Sequence, residues 1–161
     1  MHEILINILG TIIGGLLLAT ILFFLNEHVF PIRNLTGEWN VKSLTEKTLR
    51  NPYHNMKLFY KFHLLQKGQE IIGSGEKIKE ELYDGTTQEY ERKKRVLSEI
   101  NGYYERNFFG KSKIYLNIVE NGQSRQSRTT YILTIKNKNL LSGTFTSTIA
   151  DSCGNAKLTK S

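Results

Sequence analysis

Eight tyrosines, and 22 Lys and Arg set against 15 Asp and Glu, are the groups of this 161-residue chain best suited to holding a polar partner. A guanidinium presents a planar fork of donors to a phosphate, and a phenol ring presents a face on which a flat base can stack. Tyr60, Tyr103, Tyr104, Tyr115 and Tyr131 sit in stretches of alternating character, with Arg106, Arg125 and Arg128 near them and a run Arg92-Lys93-Lys94-Arg95 beyond. The ligand contacts expected from chemistry and strand position are Tyr60, Tyr104, Arg106, Tyr115, Arg128, Tyr131 and Thr146. The same residues have plainer uses. Strand tyrosines often only pack, and a four-charge run commonly solvates a loop or touches anionic lipid.

Catalysis has less to build on. His2, His28, His54 and His63 show no metal-ligand spacing, so no metal site is expected. Cys153 stands near the C-terminus in a Cys153-Gly154-Asn155 sequence that reads as a turn, with no evident base. Glu80 and Glu81 adjoin, and on a strand adjacent side chains face opposite ways, so they make no carboxylate pair for acid/base work. The chain reads as a binder and not an enzyme, with no cofactor beyond an activating ligand. A single cysteine also excludes an intramolecular disulfide framework and suits a reducing compartment.

The elements that must position these groups come in two kinds. Residues 1 to 25 hold only Glu3 of either sign, so the remainder carries 22 cationic against 14 anionic residues, a charge of +8. From Ile4 to Leu25 there are 22 residues without a charge. As a helix they would span roughly 33 Å, enough for a hydrocarbon core of about 30 Å. A removed signal peptide would want a positive leader and a small-residue cleavage site, which the flanks do not supply. A retained single-pass anchor over residues 1–33 is expected. No Lys or Arg precedes the span, and Arg33, Lys42 and Lys47 follow it, which puts the body on the cytoplasmic side. Gly10 and Gly14 form a GxxxG pair with Asn7 on the same helical face, so Asn7, Gly10 and Gly14 are the expected helix-association residues. Gly is also common in membrane helices generally.

After Pro31 the pattern changes to period-two alternation broken by turn residues every ten or so positions, the signature of an all-β sandwich or barrel. Strands are expected near 36–44, 56–66, 70–80, 96–106, 111–120, 126–137, 139–149 and 155–160. Lys67-Gly68-Gln69 and Asn121-Gly122 read as tight hairpins, and Asn137-Lys138-Asn139 and Cys153-Gly154-Asn155 as later turns. Residues 80–95 are a long excursion or an extra strand, and Asn101-Gly102 either closes a hairpin or kinks a continuous strand. Gly73-Ser74-Gly75 lies mid-strand, where glycine marks a bulge or barrel corner rather than a phosphate loop. Thr144, Thr146 and Thr148 share one face and Phe145 and Ile149 the other; threonines facing the lumen would favour a polar guest, and a slip of one residue would turn them to solvent. Eight meandering strands without covering helices remove their edges by closing. Residues 34–161 are therefore expected to be an eight-stranded antiparallel up-and-down barrel, preceded by one N-terminal transmembrane helix.

The stretch Leu35-Thr36-Gly37-Glu38-Trp39-Asn40-Val41 resembles the Gly-x-Trp opening of lipocalin-like barrels, in which the Trp plugs one end. Further likeness comes from Ile100-Asn101-Gly102-Tyr103-Tyr104, Lys113-Ile114-Tyr115-Leu116, Thr130-Tyr131-Ile132-Leu133, Leu141-Ser142-Gly143-Thr144-Phe145-Thr146-Ser147 and the closing Lys157-Leu158-Thr159-Lys160. With the N-terminal apolar segment, the arrangement resembles the membrane-anchored β-barrel effectors of bacterial cyclic-oligonucleotide-based anti-phage signalling. The resemblance implies that a nucleotidyltransferase activated by infection makes a cyclic dinucleotide, that the barrel binds it, and that homo-oligomers then disrupt the bacterial inner membrane, arresting or killing the cell. Many such effectors have two membrane helices, whereas this sequence has one clear span. Partners implied are the cyclic dinucleotide, the lipid bilayer and further copies of the chain, with no DNA or RNA polymer. Two other readings remain beside it: an anchored lipocalin-like lipid binder, and a scaffold whose barrel holds a protein.

Overall fold

The computed structural model describes residues 2–25, 32–91, 96–107, 110–121 and 126–161. The chain divides into two units, Met1–Arg33 and Asn34–Ser161. In the first, α1 (His2–Phe24) is a continuous helix with every side chain exposed. Among the described residues it is the one helix long and apolar enough to cross a membrane. Thr11 and Thr20 return their hydroxyls to the carbonyls of Asn7 and Leu16, so two polar side chains are satisfied within the helix itself. A side chain at Gly10 or Gly14 would meet nothing within 4 Å.

The second unit is built from β1 (Gly37–Lys47), β2 (Lys57–Lys67), β3 (Glu70–Glu81), β4 (Thr87–Glu89), β5 (Leu97–Glu105), β6 (Lys113–Asn121), β7 (Gln126–Asn137), β8 (Leu140–Ser147) and β9 (Ser152–Lys160). Neighbouring strands pair antiparallel in the order β2-β1-β9-β8-β7-β6-β5-β3, and β2 also pairs with β3. That last pairing, from Lys57 opposite Glu81 to Lys67 opposite Glu70, closes eight strands into a barrel. Among its described residues, the excursion after Glu80 contributes the three-residue β4, held on the outer end of β3. Asn101-Gly102 lies inside a continuous β5, with Gly102 opposite Leu116.

Period-two burial explains why the barrel holds together. Trp39, Val41, Ser43 and Thr45 of β1 point inward, as do Tyr60, Phe62 and Leu64 of β2, Ile114, Leu116 and Ile118 of β6, and Tyr131 and Leu133 of β7. Removing such side chains from water is the main favourable contribution to folding. The twin glycines of β3 serve the same packing. Gly73 and Gly75 stand opposite Leu64 and Phe62, and a Cβ on Gly75 would lie 3.0 Å from the Phe62 ring. The absent side chains leave room for larger ones across the strand pair.

Two expectations are corrected here. Cys153-Gly154-Asn155 is not a turn, because β9 begins at Ser152 and all three residues pair with β1. The connection before it is Thr148–Asp151, with Ala150 and Asp151 at positive φ. The strand expected over 139–149 accordingly stops at Ser147.

The candidate ligand site at the barrel mouth

The two ends of the lumen differ. At one end Leu35, Trp39, Leu64, Ile71, Ile114, Leu133, Leu141 and Leu158 are nearly inaccessible to solvent. The Trp39 indole N–H donates to the Leu35 carbonyl at 2.8 Å, and the Lys160 ammonium lies 5.6 Å from the ring centroid. Gln66 fastens the strap that precedes β1, its side-chain oxygen accepting from Leu35 N–H and its own N–H donating to the Thr36 hydroxyl. This end is filled.

At the other end lies a cavity of about 220 Å³, lined by Tyr60, Lys77, Glu80, Glu120, Thr129 and Tyr131 together with Met56, Leu58, Phe145 and Ile149. Its floor is aromatic: Phe62 packs edge-on against Tyr131 at 6.0 Å and tilted against Tyr60 at 5.8 Å, and Phe145 meets Tyr131 at 5.9 Å. The two phenols are anchored by hydroxyl contacts. Tyr60 donates to the Glu120 carboxylate at 3.3 Å, and Tyr131 and Ser43 share a hydrogen bond of 3.1 Å. Burial pushes both phenols up, Tyr131 to about 12, since a phenolate would lose its hydration there.

Lys77 and Glu80 add an ion pair at 3.0 Å with side chains 11% and 16% exposed. Residues three apart on a regular strand face opposite ways, so this pair needs a break in alternation. The break is a bulge: Phe59 pairs with Lys79 and Tyr60 with Lys77, leaving Ile78 without a partner on β2 and resetting the side-chain direction. The same reset sends Glu81 outward, where its carboxyl is held low by the hydrogen bond from Lys57. Tyr90 closes over the pair, its ring 5.1 Å from the Lys77 ammonium. Its phenol is pushed above the usual range, first by burial and then by its hydrogen bond to Glu80.

Of the seven expected contacts, Tyr60 and Tyr131 line this cavity. Tyr104 points inward but at the filled end, where its N–H donates to the Gln69 carbonyl. Arg106 follows β5 at that same end. Three others lie on the outer face of the barrel. Tyr115 lies on the outer wall, stacked on Tyr103 at 4.7 Å. Arg128 and Thr146 are exposed on the outside of β7 and β8, because Ser127, Thr129 and Phe145 occupy the inward positions beside them. Thr148 lies in the turn, where its hydroxyl accepts from Arg128 N–H. The run Arg92-Lys93-Lys94-Arg95, Gly122 and Arg125 lie outside the described residues. Sequence reasoning missed Lys77, Glu80 and Glu120. A signal existed for Glu120, which continues the inward series Ile114, Leu116, Ile118; none existed for Glu80, whose direction depends on the bulge.

Among the described residues no group of three or more His, Cys, Asp or Glu is placed to hold a metal ion. The arrangement can accept and donate hydrogen bonds above an aromatic floor. Among the described lining residues it offers two carboxylates, Glu80 and Glu120, and one ammonium, Lys77.

No family model matches the chain, and no curated protein matches it. A solved structure does. A redesigned β-barrel, mFAP0, bound to DFHBI, superposes with a TM-score of 0.53 at 10% identity, covering 78% of this chain and 98% of that one. The likeness establishes a shared barrel fold.

Proposed function

We propose that the chain is a membrane-tethered receptor whose barrel mouth binds a cyclic dinucleotide, with α1 anchoring it in the bacterial inner membrane and the barrel on the cytoplasmic side. Ligand binding promotes self-association, the clustered helices disrupt the bilayer, and the cell is arrested or killed as part of anti-phage defence. The observation that carries the receptor reading is the polar, half-enclosed mouth above an otherwise filled lumen. The choice of a cyclic dinucleotide rests on the sequence resemblance.

The cavity constrains how such a ligand would sit. At about 220 Å³ it is smaller than most sites for drug-sized ligands, which run roughly 300–1,000 Å³. One base would enter over the Tyr131 and Phe145 rings, and the phosphates would remain outside, away from Glu80 and Glu120. The lipid-carrier reading is weaker, since an acyl chain needs an apolar bore and Trp39, Phe62 and Leu158 occupy it. A second reading has one observation in its favour: among the described lining residues two carboxylates face one ammonium, which suits a small amine, taken up without any nucleotide.

Thermal unfolding of the full chain in detergent separates these readings. A cyclic dinucleotide at 100 times its dissociation constant should stabilise the barrel by about 2.7 kcal/mol. A shift with fatty acids or polyamines and none with any cyclic dinucleotide transfers the assignment to a carrier or an amine receptor. Fractionation tests the anchor: the full chain should pellet with membranes, and recovery of a shortened periplasmic form would show a cleaved signal instead.

A further inference from the structure

The donors and acceptors of the mouth are unevenly committed. Glu80 already takes the Lys77 ammonium at 3.0 Å and a hydrogen bond from Tyr90. Glu120 takes one from Tyr60, at Oε2. A carboxylate has about four lone-pair positions, so Glu120 keeps capacity for a further, two-pronged contact. Lys77 has three N–H donors, with Glu80 using one and the Tyr90 ring 5.1 Å from the ammonium. The mouth therefore presents a carboxylate and an ammonium beside an aromatic floor.

Nucleobases differ in how they meet such a set. Guanine carries two adjacent N–H groups, the ring N1–H and the 2-amino group, next to the O6 carbonyl. A carboxylate binds two parallel N–H groups as it binds a guanidinium, by paired charge-assisted bonds. Adenine puts a ring-nitrogen lone pair beside its amino group, which gives a carboxylate one bond and one repulsion. We propose that the mouth reads the guanine edge, with Glu120 accepting from N1–H and the 2-amino group and Lys77 donating to O6. The proposal rests on the mouth being the ligand site, and it names the base that site selects. Either a free guanine nucleoside or the guanine of a cyclic dinucleotide supplies this edge.

Calorimetric titration of the full chain in detergent tests it with guanosine, inosine, adenosine, cyclic di-GMP and cyclic di-AMP as probes. Inosine lacks only the 2-amino group, so it should bind at least tenfold more weakly than guanosine, in keeping with loss of a hydrogen bond to a charged acceptor. The adenine compounds should bind at least a hundredfold more weakly than their guanine counterparts. Cyclic di-GMP binding tighter than guanosine identifies the dinucleotide as the source of the guanine; equal affinity identifies the free nucleoside. Glu120→Gln should weaken the guanine compounds at least tenfold, and the guanosine/inosine comparison on the parent protein needs no variant to fold. Equal or tighter binding of the adenine compounds, or of inosine, overturns the base assignment and leaves the receptor reading standing. Binding by none of the five, while other cyclic dinucleotides stabilise the protein, does the same. Failure of every nucleobase compound overturns both.

Discussion

The same strands build both ends of the barrel, yet the ends are built in opposite ways. At the filled end inward positions are taken by Trp39, Leu64, Ile71 and Leu158, whose burial is nearly complete. Four to six residues further along those strands, the inward positions carry Thr45, Tyr60, Lys77 and Ser152, and a cavity opens. Stability resides where apolar groups meet each other, and the proposed ligand site lies where polar groups line a cavity.

The sharpest way to break this division is to empty the filled end. Trp39→Ala should cost about 3–5 kcal/mol in chemical denaturation, because a large ring leaves a void that the closed lumen cannot collapse to fill. At the mouth, Lys77→Met should cost less, about 2 kcal/mol, since Glu80 loses its cation but keeps some solvent. Lys77→Met combined with Glu80→Leu should recover to within about 1 kcal/mol of the parent, while ligand binding is lost in both variants. A double variant as unstable as the single one would show that the pair stabilises the barrel rather than serving the site.

Tyr131→Phe probes the seam between the ends. At neutral pH it should cost about 1–2 kcal/mol by leaving the buried Ser43 hydroxyl without its partner. The parent protein should also lose stability as pH rises from about 10 to about 12, because the folded state holds the Tyr131 proton more tightly than the unfolded chain does. Below pH 10 that contribution is complete. The variant has no phenol to ionise at this position, so the gap between the two proteins should narrow through the alkaline range; a parallel pair of curves would contradict the burial of this hydroxyl.

The smallest effects belong to the outer wall. Arg128→Ala and Thr146→Ala should each change stability by less than about 0.5 kcal/mol and leave ligand affinity unchanged. These are residues that composition and strand position single out, and they show where sequence reading stops. Alternation in Thr144-Phe145-Thr146 reveals a strand with two unlike faces, but nothing local says which face the lumen receives. Burial of Phe145 decides it, and that depends on strands far away in the sequence. The apolar span, the strand series and the Gly-x-Trp opening are legible because each is a local pattern. The Lys77–Glu80 pair is not, because it exists only through a bulge at Ile78 set by pairing with β2. Gly75 shows the intermediate case: its place in a strand was readable, while its purpose, room for Phe62, required knowing the residue opposite.

Where the ligand binds can be read from one nuclear magnetic resonance titration. The chain has a single tryptophan and two methionines. Met56 lines the mouth, and the Trp39 indole N–H is locked to the Leu35 carbonyl at the filled end. With labelled methionine methyls and an ¹⁵N-labelled indole, adding cyclic di-GMP to the full chain in detergent should move the Met56 methyl signal and leave the Trp39 indole signal in place. A shift confined to Trp39, with Met56 unmoved, would contradict the assignment of the mouth as the ligand site.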